Sequence, residues 1–293
     1  IAGVDEDKGE VALNFDYNFF NPKIGLSYVL SPRQRLYASF SMANREPTRS
    51  NLVDNDTTPT PETLYDWELG YRFRNAKHTF STNYYLMQYK NQLVLTGNLN
   101  DVGNPIQQNV ADSYRTGIEA VGDFNFSSKI NWQANATFSV NKINTFNLNT
   151  VVFDDYWNVL GDTSIVYTDT DIAFSPNVIV ASNFTYKPLK GTEIGLISKY
   201  VGTQFLDNTS NENRQIGAYF VNNLRLSYTI KTSVFDAIVL DFMLNNVLDA
   251  RYASNGWTYF LLFDSAEGAV SENYNHYYPQ AGRNYLAAIK LRF

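Results

Sequence analysis

The sequence has no cysteine, so it can build neither a disulfide framework nor a thiolate metal site. Charge is also scarce. Asp, Glu, Lys and Arg make up 18% of the chain, against roughly 25% in an average soluble domain. No apolar run approaches the ~18 residues of a spanning helix, which excludes a helical membrane protein. The net charge of −6 leaves no basic footprint for nucleic acid. The two histidines, His78 and His276, lie far apart and show no metal-ligand spacing. There is no nucleophile elbow, P-loop or cysteine nucleophile. Ser81, the serine nearest His78, sits three positions on, so along a strand the two side chains face opposite ways. No catalytic residue and no intrinsic metal or cofactor site is expected. Neither an initiator Met nor a signal peptide precedes Ile1, and we expect a processed or truncated piece of a longer protein.

What replaces the missing charge is aromatic and neutral-polar, including 21 Tyr and 20 Phe. These residues alternate. Ile130, Trp132, Ala134, Ala136, Phe138 and Val140 share one face of an extended chain, and Asn131, Gln133, Asn135, Thr137 and Ser139 share the other. That run is long enough to cross a bilayer, which takes about 9–11 tilted residues. The pattern recurs at 35–42, 118–126, 223–230 and 238–245. Because half of each such strand faces water, low hydropathy is compatible with a membrane β-barrel.

The connections alternate in length. Tight turns fall at 31–34, 75–77, 127–129, 188–191 and 231–235, and long polar stretches at 45–61, 96–108, 144–175, 203–217 and 247–280. Short turns on one rim and long loops on the other are the asymmetry of outer-membrane barrels. About eleven strands are expected, at 22–30, 34–44, 62–74, 77–95, 109–126, 129–143, 175–188, 191–203, 217–230, 236–247 and 280–293. Bacterial single-chain barrels have even strand numbers. We therefore expect the chain to begin inside an external loop, with residues 1–20 (Asp5, Glu6, Asp7, Lys8, Gly9 and Glu10 among them) as its tail. Residues 21–293 would then be the remainder of the wall, lacking about half the barrel.

Three stretches resemble the TonB-dependent outer-membrane receptor family: Tyr37-Ala38-Ser39-Phe40-Ser41-Met42-Ala43-Asn44-Arg45-Glu46-Pro47-Thr48-Arg49, Lys199-Tyr200-Val201-Gly202-Thr203-Gln204-Phe205-Leu206-Asp207-Asn208-Thr209, and Asn245-Asn246-Val247-Leu248-Asp249-Ala250-Arg251-Tyr252. The last strand, with Tyr285, Ala287, Ile289, Leu291 and Phe293 on one face, resembles the terminal signal that the barrel-assembly machinery recognises. The resemblance implies an all-β, antiparallel transmembrane β-barrel, this chain supplying about eleven of 22 strands, with short periplasmic turns and long extracellular loops. It also implies a bacterial (Gram-negative) outer-membrane location and contact with outer-membrane lipid. An N-terminal half of the barrel and a plug domain that engages the TonB energy-coupling system would lie elsewhere; nothing in this chain looks like the plug.

Active import of a ferric siderophore, or of another metal chelate such as haem or cobalamin, is the function this resemblance implies. The rival readings are a passive diffusion porin and a surface adhesion or lipid-processing barrel. A transported chelate would be held by arginines and aromatic faces on the outer loops. The candidates are Arg45, Arg49, Tyr156, Trp157, Arg214, His276, Tyr277 and Tyr278. Structural alternatives are an Arg45–Glu46 pair and an aromatic girdle at the membrane surface. Asp54, Asp56, Asp154, Asp155, Asp162, Asp169 and Asp171 could bind a loop calcium ion, although their spacing matches no EF-hand and solvated acidic loops are the plainer reading.

Overall fold

The structure, a computed structural model, describes residues 2–5, 9–12, 15–55, 58–100, 103–265 and 268–293. In chain order the elements are β1 (Ala2–Asp5), β2 (Gly9–Ala12), β3 (Lys23–Ser31), β4 (Gln34–Arg45), α1 (Arg49–Asp54), β5 (Glu62–Arg74), β6 (His78–Leu99), β7 (Pro105–Asn125), β8 (Ile130–Phe153) and β9 (Val159–Asp171). There follow β10 (Val178–Tyr186), β11 (Thr192–Val201), β12 (Gln204–Phe205), β13 (Gln215–Ile216), β14 (Tyr219–Ile230), β15 (Ala237–Asn245), β16 (Ala253–Ser265), β17 (Gly268–Pro279) and β18 (Asn284–Arg292). Eleven of these form one continuous wall in the order β18-β15-β14-β11-β10-β8-β7-β6-β5-β4-β3. The pairs within it are antiparallel. The tail expected at 1–20 contains the separate β1–β2 hairpin; Glu6, Asp7 and Lys8 lie outside the described residues.

Alternation within strands becomes a continuous belt because the register keeps like with like. Leu26, Ala38, Leu69, Tyr84, Ile118, Phe138 and Val178 are successive partners across seven strands. Phe124, Trp132, Phe184, Leu196, Leu224, Leu244 and Tyr285 do the same farther round. A one-residue slip in any pair would break the belt, so the pattern itself specifies the register. No second layer covers this face. Leu69, Ile118 and Phe138 are 57%, 51% and 54% exposed. An uncovered apolar face of this extent is not tolerated in water, and its natural solvent is lipid.

The opposite face is polar and in part charged. Arg225 lies 3.8 Å from Glu193 and 3.2 Å from Asp241, and Lys290 lies 2.7 Å from Asp241, so a ladder of alternating charge runs across four neighbouring strands. Two tyrosines lie down against this face. Tyr37 stands opposite Gly70 and Tyr85 opposite Gly117, and a Cβ on either glycine would strike the facing ring or hydroxyl. At Gly117 it would also strike the backbone carbonyl of Phe138, which cannot move without breaking the ladder. Gly117→Val is therefore expected to destabilise the sheet by about 1–3 kcal/mol, the usual cost of overpacking. Gly70→Ala should cost less, because the Tyr37 ring can swing away. Urea midpoints of the refolded barrel would check the order, and equal costs would count against it.

The wall strands agree with those expected, but the long connections do not. The stretches 144–175 and 247–280, read as polar loops, are largely strand. β8 runs for 24 residues, more than twice a bilayer crossing of about 9–11 residues. It continues past the belt to pair with β9, while β16 and β17 form a hairpin of their own. β6 and β7 also extend to Leu99 and from Pro105. Backbone that leaves the membrane still needs hydrogen-bond partners, and Thr150-Val151-Val152-Phe153 and Ile165-Val166-Tyr167 favour strands. Stretch 45–61 holds α1, capped by a reciprocal Thr48–Asn51 box. Among the described residues, no helix is long and apolar enough to cross a membrane.

Candidate functional site

The compact core of the molecule lies beyond the wall, where the long hairpins meet. Val94, Val110, Ile143, Phe146, Leu148 and Ile172 are buried together, with Tyr167 and Phe260 packed against them. β16 pairs parallel with β8 through Leu262–Val152 and Phe263–Phe153, so hairpins from separate parts of the wall are joined at their outer ends. The β16–β17 hairpin is closed at its base by Asn246. This buried residue, at φ +50°, accepts from the Ala250 amide at 2.9 Å and donates to the carbonyls of Ala250 and Ala281. Nearby, Asp249 accepts from the Arg283 amide at 2.8 Å, and that bond holds its carboxyl below the usual range. The Asn245–Asp249 stretch thus forms the foot of the hairpin.

One face of this hairpin carries a pile of rings. Trp257 and His276 stack at 4.4 Å and 13°, Tyr259 and Tyr274 at 4.9 Å and 8°, and Trp257 and Tyr259 at 5.5 Å. The register explains this: Trp257 stands opposite His276 and Tyr259 opposite Tyr274, two residues along the same face. The hydroxyl of Tyr274 donates to Glu272, which pushes its pKa up. That bond favours the protonated Tyr274 hydroxyl over the phenolate. Gly256, Thr258 and Phe260 point to the other face, and Gly256 and Thr258 are buried.

Of the candidates read from sequence, His276 joins this pile. Its neighbour Tyr277 points the other way and donates to the carbonyl of Gln215 at 3.1 Å, and Tyr278 is exposed. Tyr156 and Trp157 lie at the tip of the β8–β9 hairpin. Trp157 packs edge-on to Phe263 at 5.1 Å, whereas Tyr156 is 86% exposed. Arg45 pairs with Glu62 at 2.9 Å, not with Glu46. Arg49 opens α1 and lines a cleft of about 310 Å³ with Phe15, Tyr17 and Glu46. Among the described side chains it pairs with no carboxylate. Arg214 is enclosed: its side chain is 2% exposed and lies 3.0 Å from Asp207. Burial and pairing set it apart from residues that could meet a ligand.

The candidates therefore do not converge on one place. Trp257, Tyr259 and Tyr274 were missed because their stretch reads as a loop. The signal that could have found them is the short alternation Trp257-x-Tyr259 and Tyr274-x-His276. The terminal residues Tyr285, Ile289, Leu291 and Phe293 project from edge strand β18, and Phe293 meets Phe235 at 5.2 Å.

Among the described residues the acidic side chains of the loops do not converge; the Asp54 side chain and Asp56 lie outside them. Asp154 spends its carboxylate on the Asn158 side chain and the Tyr156 and Asn158 amides. Those bonds, the Asn158 side chain first, hold its pKa down. Asp171 pairs with Lys142 at 3.2 Å. Among the described residues no group of three or more His, Asp or Glu could hold a metal ion; Asp56 lies outside them. His78 packs beside Phe124 and Phe126, and strand alternation puts Ser81 on the other face.

A family model described as TonB dependent receptor-like, beta-barrel matches residues 3–247. The chain belongs to this family. Its apolar belt is accordingly the lipid face, its charged ladder faces the lumen, its tight turns lie on the periplasmic rim and its long hairpins are extracellular. No curated protein sequence matches the chain. Among solved structures it is similar to the ferric yersiniabactin uptake receptor FyuA from Yersinia pestis, with 16% identity and a TM-score of 0.61 over 90% of this chain and 36% of that one. It is also similar to the siderophore receptor PiuA from Acinetobacter baumannii (16% identity, TM-score 0.66, 91% and 35%) and to the copper transporter OprC (14%, 0.63, 91% and 38%). The chain spans about a third of the length of these structures, and at such identity the likeness is one of fold. The family is one of receptors, not enzymes.

Proposed function

We propose that residues 21–293 are the C-terminal portion of the barrel of an outer-membrane active transporter, with residues 1–20 the tail of an external loop. The parent receptor imports a scarce nutrient, a ferric siderophore or another metal chelate such as haem or cobalamin. Energy comes from the TonB system through a plug region carried elsewhere in the parent. The N-terminal half of the wall pairs at the edges β3 and β18, and the assembly machinery reads the Tyr285–Phe293 face.

The observation that carries the substrate class is the ring pile on the β16–β17 hairpin. Four aromatic side chains held in register, with a neutral hydroxyl and an imidazole among them, suit a conjugated ligand. Arg49, in a separate cleft beside Phe15 and Tyr17, offers a cationic contact of its own for an anionic chelate. Two of the similar solved structures are named as a ferric yersiniabactin uptake receptor and a siderophore receptor, names that agree with a chelate as cargo.

A deletion strain grown on ferric siderophore, haem or cobalamin as sole source is expected to lose growth on one of them. Wild-type uptake of that source is expected to vanish without TonB. The Trp257→Ala/His276→Ala double variant should raise the apparent KM for uptake by up to about tenfold, the scale of a lost stacking pair. Uptake that persists without TonB would replace this reading with the passive pore.

A further inference from the structure

The loop between β11 and β14 does not behave like a surface loop. Loops run over protein surfaces because buried backbone and polar side chains need partners. Here Gln204, Asp207, Asn208, Thr209 and Arg214 are all buried, Asn208 completely. The loop folds on itself through the β12–β13 pair and through the Leu206 amide, which donates to the Arg214 carbonyl at 2.9 Å.

Its polar groups then reach outward to three different hairpins. The Asn208 side chain donates to the Leu95 carbonyl of β6 at 2.7 Å, across 113 positions of sequence, and accepts from the Ala173 amide after β9 at 2.8 Å. Ser210 accepts from the Asp171 amide at 2.6 Å and donates to the Asp171 carboxylate at 2.9 Å. From the other side, Asn275 of β17 donates to the Asn213 carbonyl at 2.6 Å, and Tyr277 reaches Gln215. Arg214, besides its pair with Asp207, donates to Thr209 at 2.8 Å and sits 5.0 Å over the Phe260 ring of β16.

We propose that residues 203–217 are a keystone: a folded, buried loop that locks the β6–β7, β8–β9 and β16–β17 hairpins into one body. In this arrangement Asn208 and Arg214 are positioning residues. Arg214 acts through Phe260, and Asn208 acts by anchoring to Leu95 and Ala173 the loop whose Asn213 and Gln215 carbonyls receive Asn275 and Tyr277; neither touches a ligand. The extracellular mouth is then prebuilt, and a ligand meets rings already in place without the entropic cost of ordering loops around it. The inference does not depend on what the receptor carries.

Hydrogen exchange of the full-length receptor in lipid tests it with no ligand present. Asn208→Ala removes a buried donor and acceptor together. Exchange at 92–99 and 253–279 is expected to quicken about tenfold, the equivalent of one such buried bond. The wall strands β4 and β5 should stay unchanged, and Trp257 emission should shift to the red as the pile loosens. Should Asn208→Ala fail to assemble, Asn275→Ala with Tyr277→Phe cuts the same link from the hairpin side and leaves the loop intact; exchange at 253–279 and Trp257 emission then decide. Faster exchange confined to 203–217, with 253–279 and Trp257 emission unmoved in whichever variant assembles, would overturn the keystone.

Discussion

Replacing Leu226 with Arg is expected to destabilise the assembled barrel by about 2–4 kcal/mol, the cost of a cation near the bilayer midplane. Leu226 is 39% exposed, and in a soluble protein such a site would accept Arg within about 0.5 kcal/mol. Here the surrounding solvent is lipid. Leu226 sits between Ile194 and Phe242 in register, near the middle of β14, too far from either rim for the guanidinium to reach water easily. Ser227, one residue on, faces the lumen and stands opposite Glu193 and Asp241. Ser227→Arg should therefore be close to neutral, since its charge would join the ladder and remain wet. Urea unfolding from lipid vesicles, followed by tryptophan emission, measures both. Equal effects for the two neighbours would sink the assignment of faces, and with it the membrane reading of the whole wall.

Removing one member of the buried ion pair is the second large effect. Asp207→Ala leaves the Arg214 guanidinium almost sealed from water, its Nε already without a partner. Breaking such a pair from one side costs about 3–5 kcal/mol, because the remaining charge stays buried and uncompensated. Replacing both by apolar residues of similar volume, Asp207→Leu with Arg214→Met, should recover most of that loss for the same reason. The Met can still pack on Phe260. The measurement is the opening free energy of residues 203–217 from hydrogen exchange or proteolytic nicking. High salt should change it little, because a buried pair is poorly screened. A double variant as unstable as the single would show that the pair is worth more than the desolvation it costs.

The wall was legible because a membrane barrel writes its structure into every second residue. Each strand must be apolar on one side over a bilayer's depth, and each inner turn must be tight. The Ile130–Val140 alternation and the turn at 127–129 therefore identified the wall portion of β8, its two faces and its direction without any knowledge of its neighbours. The extracellular end was not legible. Outside the bilayer both faces of a strand are wetted or packed on other loops, so the two-residue period fades. Thr150–Phe153 and Trp257–Phe263 then read as loop.

The site divided along the same line. His276 is singled out by its chemistry, whereas Trp257, Tyr259 and Tyr274, which stack with it, come together only through the register of β16 with β17. Arg214 shows the opposite case. Its sequence neighbours Asn211, Glu212, Asn213 and Gln215 are those of a solvated loop, and only the distant carboxylate, ring and carbonyl groups around it reveal that it is buried.

Sequence alone determined the class of fold, the number and faces of the wall strands, the sorting of turns from loops and, by resemblance, the family. Those properties follow from local alternation set against a solvent of fixed thickness. Tertiary structure alone decided that the outer loops are hairpins, that Arg214 is locked in place and that the rings stack. These depend on pairings between residues far apart in the chain, such as Asn208 with Leu95, and no local pattern of residues encodes a partner so distant.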